Sequence, residues 1–92
     1  MVAVIIKNKV TDQEAYLPLA KAFAADASME TGCIEMKVYV DPEDKEHVYF
    51  ITKWEGKSDF ENHVKGEVFA KHIPQMGQYY VSGTDTILEL AE

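Results

Sequence analysis

The chain has 92 residues, which is room for one domain around one thin core. Sixteen acidic side chains against nine basic ones leave a net charge of -7, and the basic residues are scattered, which argues against phosphate-rich partners such as nucleic acid or an anionic membrane surface. A hydrophobic content of 47% excludes disorder, the single Cys33 excludes an internal disulfide, and no apolar run approaches the ~20 residues of a membrane span.

Val2 to Val10 is rich in β-branched residues and apolar on both faces, as in a strand covered on two sides. Lys7 and Lys9 follow its apolar run, whereas a secretory signal carries its charge ahead of that run; together with the lone thiol this points to a cytoplasmic protein. Thr11-Asp12-Gln13-Glu14 fits a capping box, and Tyr16, Leu19, Ala20, Phe23 and Ala27 recur at helical spacing. Pro18 lies too deep for a first-turn proline, so the helix is expected to start later or to bend there, and Gly32 is expected to stop it.

From Ile34 to Val40 the residues alternate, with Ile34, Met36, Val38 and Val40 expected on one face. Asp41-Pro42-Glu43-Asp44 makes a turn, and His47 to Trp54 returns as the second arm of a hairpin. A second helix is expected from Ser58, interrupted at Gly66 and ended by Pro74 and Gly77. Tyr79 to Leu90 closes the chain as a strand, with a bulge or bend expected at Ser82-Gly83-Thr84-Asp85.

The order βαββαβ predicts a single α+β domain over 1–92 of ferredoxin-like type: a four-stranded antiparallel sheet with two helices on one face. Two helices cover only one face of that sheet, yet the first strand is apolar on both. A second copy of the chain is the simplest cover, so a homodimer forming a dimeric α/β barrel is expected.

Three stretches, "ETGCIEMKVYVDPED" from Glu30, "YFITKW" from Tyr49 and "FENHVKGEVF" from Phe60, resemble the antibiotic biosynthesis monooxygenase (ABM) family in order and spacing. The resemblance covers positions 2 to 75. It implies a monooxygenase (an oxidoreductase) that works without a bound cofactor or metal on a small aromatic or quinol-like substrate, which supplies its own electrons to dioxygen. The chain itself shows no glycine-rich phosphate loop, no HExxH and no paired-cysteine metal pattern.

The resemblance makes His63 the proton-transfer residue; the alternative is a helix-surface histidine. Trp54, Phe50, Phe60 and Phe69 would shape the apolar pocket, although Trp54 also suits a core position at the end of the sheet. Phe50 stands where quinone-forming members carry an asparagine, and Phe60 where some carry a tyrosine. Asn8 would reach the substrate, as a similarly placed asparagine does in haem-degrading members; its alternative is a strand-end residue making turn hydrogen bonds. Haem is thus the alternative cofactor, with His72 within one residue of the ligand position, a rotation of about 100° on a helix. A non-catalytic binding module and isomerisation of a sugar-like signal molecule complete the alternatives.

Overall fold

The computed structural model describes residues 1–92. The elements run β1 (Val2–Val10), α1 (Gln13–Ala27), β2 (Cys33–Tyr39), β3 (His47–Trp54), α2 (Lys57–Val64), α3 (Glu67–Met76) and β4 (Tyr80–Glu89). The four strands form one antiparallel sheet in the order β2-β3-β1-β4, the ferredoxin-like arrangement expected from the element order.

Helix α1 is capped by Asp12, whose carboxylate accepts from the Ala15 N–H at 3.1 Å. The cap is therefore one residue later than the Thr11 box. The helix runs through Pro18 without ending, because the proline lies on the exposed face. It stops at Ala27, with Ser28 as its C-cap, so Gly32 is not its stop signal. Gly32 serves the turn into β2 instead. Its φ is +83°, and a Cβ there would collide with the Asp59 side chain. The second helical stretch is two helices. Gly66 caps the start of α3, giving three helices over the sheet where two were expected.

Two bulges set the parity of the outer strands. One lies between Cys33 and Glu35, where Cys33 pairs with Trp54 and Glu35 with Lys53. It turns Ile34 outward, half exposed, and packs Cys33 against the core instead. The other falls at Val81, opposite the Lys9–Val10 step, not within Ser82–Asp85.

One face of the sheet is packed under the helices. Val4, Val48, Phe50, Thr52 and Trp54 are buried there, and Tyr16, Ala20, Phe23, Ala24 and Ala27 on one side of α1 close over them. Fully burying an aromatic or branched side chain of this kind contributes about 1.5–3 kcal/mol. The core draws on β1, β2, β3 and all three helices, but takes nothing from β4, which is exposed along its whole length. The opposite face has no cover. Ile5 and Ile51 pair at its centre beside Ala3 and Leu88, with Lys7, Lys37 and Lys53 around them. No helix is long and apolar enough to cross a membrane.

Candidate active site

Between the sheet and helices α2 and α3 lies a cavity of about 310 Å³ with mostly apolar walls. Phe50 from β3, Phe60 from α2 and Phe69 from α3 line it, together with Phe23 from α1. The α2–α3 break at Gly66 lets the two short helices present Phe60 and Phe69 from different directions. The cavity reaches the edge strand, where Tyr80 and Asp85 complete the wall.

His63 is buried, 3% exposed, and on the cavity wall. Aromatic rings hold it on four sides, with centroids 5.0 Å away at Trp54, 5.5 Å at Phe23, 5.7 Å at Phe69 and 6.1 Å at Phe60. Its Nδ1 lies 2.6 Å from Oε1 of Glu30, in the turn between α1 and β2. The carboxylate accepts, so Nδ1 donates, and in the neutral imidazole the lone pair sits on Nε2. Nε2 has no partner within the chain, and no buried side-chain nitrogen or oxygen is left unpaired, so Nε2 opens on the cavity. This histidine is thus an oriented imidazole in an aromatic box.

Asn8 and Tyr16 form a second polar station. Asn8 Nδ2 donates to Tyr16 Oη at 3.4 Å, and both residues line the cavity. Burial pushes the Tyr16 hydroxyl above its ordinary pKa, against the opposing effect of the Asn8 hydrogen bond, so it stays a neutral phenol. Across the β1–β4 pair, Asn8 faces Gly83. A methyl group at Gly83 would collide with Asn8 Oδ1 and crowd Tyr80 Oη, so the missing side chain makes room for both.

Of the six residues expected at the site, the fold brings five to the cavity wall: Asn8, Phe50, Phe60, His63 and Phe69. Trp54 is fully buried and off the wall. It lies beneath His63 and donates from Nε1 to Thr52 Oγ1 at 3.0 Å, while Thr52 donates onward to the Val4 carbonyl. Its contact is with the imidazole. Sequence reasoning missed Glu30, 33 positions from His63, and the roles of Tyr16 and Asp85. A hydroxyl-bearing residue at position 16, among the alanine, leucine and phenylalanine of its helix face, was the one available signal.

His72 is not on the cavity wall. Its Nε2 lies 2.6 Å from Asp26 Oδ2, and Lys71 Nζ approaches the same oxygen at 3.6 Å. A nitrogen engaged in that way is not presented to an iron, so these residues do not form a haem-ligating set. No three His, Cys, Asp or Glu side chains are grouped as metal ligands would be. Burial, followed by the Glu30 carboxylate, pushes the Cys33 thiol up, which keeps it a thiol and a poor nucleophile.

A ferredoxin-like sheet with an aromatic cavity beneath its helices defines a class of small α+β proteins. Within that class the chain belongs to the antibiotic biosynthesis monooxygenase family, whose sequence profile matches residues 1–75. A crystal structure of an antibiotic biosynthesis monooxygenase matches it over 100% of both chains, with a TM-score of 0.88 and 22% identity. A conserved protein from Methanosarcina mazei Go1 matches over 94% of this chain and 88% of its own, with a TM-score of 0.83 and 21% identity. SnoaB, a cofactor-independent oxygenase from Streptomyces nogalater, matches over 99% and 93%, with a TM-score of 0.87 and 11% identity. A search of curated proteins finds no sequence match.

Proposed function

We propose that the protein is a cofactor-independent monooxygenase that oxidises a small phenolic or quinol-like aromatic in the cavity. The observation that carries this reading is the free Nε2 of His63, aimed into an apolar, ligand-sized space with its tautomer fixed by Glu30. SnoaB, with the same fold, supports chemistry without a bound cofactor.

His63 Nε2 takes the phenolic proton, and the aromatic walls keep the resulting phenolate dry and electron-rich toward dioxygen. For a phenol with a free ring C–H para to the hydroxyl, one oxygen atom of dioxygen enters at that carbon as a carbonyl. The other leaves as water with the two hydrogens, so the substrate supplies all four electrons and a quinone results. His63 returns its proton to the departing water. The Trp54, Phe60 and Phe69 rings hold the imidazole in place during both transfers.

The active form in this reading is a homodimer in the cytoplasm. The uncovered Ile5–Ile51 centre of the sheet is the surface a second copy would bury, by two-fold pairing of sheet against sheet.

The test is oxygen uptake with 1-naphthol. Wild-type protein should consume one dioxygen per quinone formed. His63→Gln, which keeps a donor for Glu30 but cannot accept the proton, should lower the rate by about 100- to 10,000-fold. Uptake that survives this substitution would remove His63 from the chemistry.

A further inference from the structure

The cavity has two polar ends, and only one serves proton transfer. His63 stands over Trp54, which pairs with Val2 at one end of β1. The other polar group is carried by Asn8, six residues further along that strand. Phe50 and Ile6, which pair with each other, form the apolar floor between. At the Asn8 end, the Tyr16 hydroxyl and Asn8 share one hydrogen bond, which leaves Asn8 Oδ1 without a partner in the chain. Asp85 joins this end from β4, paired with Ile6.

The charges on the wall follow a simple pattern. Asp85 is its one acidic residue, and no lysine or arginine lines the cavity. His63, the one basic group, already has Glu30 on its other nitrogen. A carboxylated or phosphorylated ligand would therefore enter an apolar space with no free cation to receive it, and with an acidic side chain at its far end. A hydroxyl suits that end better: it donates to Asn8 Oδ1 or to Asp85 and accepts from Tyr16.

We propose that Asn8, Tyr16 and Asp85 form a substrate-selecting end of the cavity that takes a hydroxyl at the far side of the ring system from His63, so that the preferred ligands are neutral aromatic diols and not aromatic acids. Asp85 is the residue that rejects the acids. The inference rests on the cavity being the substrate site and goes beyond it by naming the second contact and the excluded class.

Trp54, the only tryptophan and directly beneath His63, reports binding by its fluorescence. Two probes of matched shape, 1,5-dihydroxynaphthalene and 5-hydroxy-1-naphthoic acid, are titrated without oxygen into wild-type protein and Asp85→Asn. The diol should quench Trp54 saturably and bind wild type at least about tenfold more tightly than the acid. Asp85→Asn, a change at an exposed edge strand that leaves the core intact, should shrink that ratio by improving the acid. Equal affinity for both probes, or tighter binding of the acid, would overturn the inference while leaving the cavity as the binding site. An unchanged ratio in Asp85→Asn would overturn the role of Asp85. If neither probe binds, the cavity is not the substrate site, and the inference falls with it.

Discussion

The molecule contains the same pairing twice. His63 meets Glu30 at 2.6 Å, and His72 meets Asp26 at 2.6 Å; both imidazoles lie with ring centroids 5.5 Å from Phe23, and both pairs join α1 or its following turn to the helices packed against it. They differ in which nitrogen is engaged and in what the other one faces. His63 is held through Nδ1 inside four aromatic rings and turns Nε2 to the cavity, whereas His72 is held through Nε2, shares its carboxylate with Lys71 and lies off the cavity wall. In the proposed reading, a histidine–carboxylate pair is thus a base in one place and a helix-to-helix clamp in the other. The surrounding space decides which, since the contact itself is identical in length.

Glu30→Gln should have the largest effect on this contrast. Losing the anionic partner weakens both the tautomer preference of His63 and the stabilisation of its protonated form, and oxygen uptake should fall by about tenfold or more. The fold should persist, because the amide still accepts from Nδ1; circular dichroism checks this. A smaller effect is expected from Gly83→Ala. It should push the Asn8 and Tyr80 side chains away from position 83 and weaken aromatic diol binding by several-fold in a Trp54 quenching titration, with the oxygen chemistry at His63 otherwise intact.

The clamp has its own signature, in acid. The hydrogen bond from His72 holds the Asp26 carboxyl below its ordinary range. A carboxyl whose folded pKa lies below its unfolded value stabilises the fold at pH above the ordinary ~4, and that contribution is lost as pH falls through the depressed value. His72→Ala should therefore raise the pH midpoint of acid unfolding, followed by circular dichroism, and lower the melting temperature by roughly a few degrees. The smallest effect expected is none at all: haemin added to the wild-type protein should give no stoichiometric Soret band, because His72 is already committed to Asp26. A band that disappears in His72→Ala would break the contrast.

The strand order was legible because β-branched runs, the Asp-Pro turn and the alternation of β3 are local signals; β3 was bounded at His47 and Trp54 by them. The inward face of β2 was legible at Met36 and Val38 but not at its start, since the bulge between Cys33 and Glu35 turns Ile34 outward and Cys33 inward, and its cause lies in pairing with β3. Gly66 signalled an interruption, but whether a glycine bends a helix or caps a new one depends on what the next helix packs against. At the site, His63 and the phenylalanines were reached through resemblance, while Glu30 was not. The partner of a helix histidine, 33 residues away, is fixed only when the α1–β2 turn folds around Gly32. Trp54 shows the same limit: its spacing gave the buried face of β3, but only the structure separates a ring on the cavity wall from one beneath it.

The most direct test measures oxygen uptake with 1-naphthol for His63→Gln and His72→Gln side by side. The expected result is loss of uptake in the first and retention within about twofold in the second. Equal loss in both folded variants, or uptake that survives in His63→Gln, would contradict the assignment of chemistry to the His63–Glu30 pair.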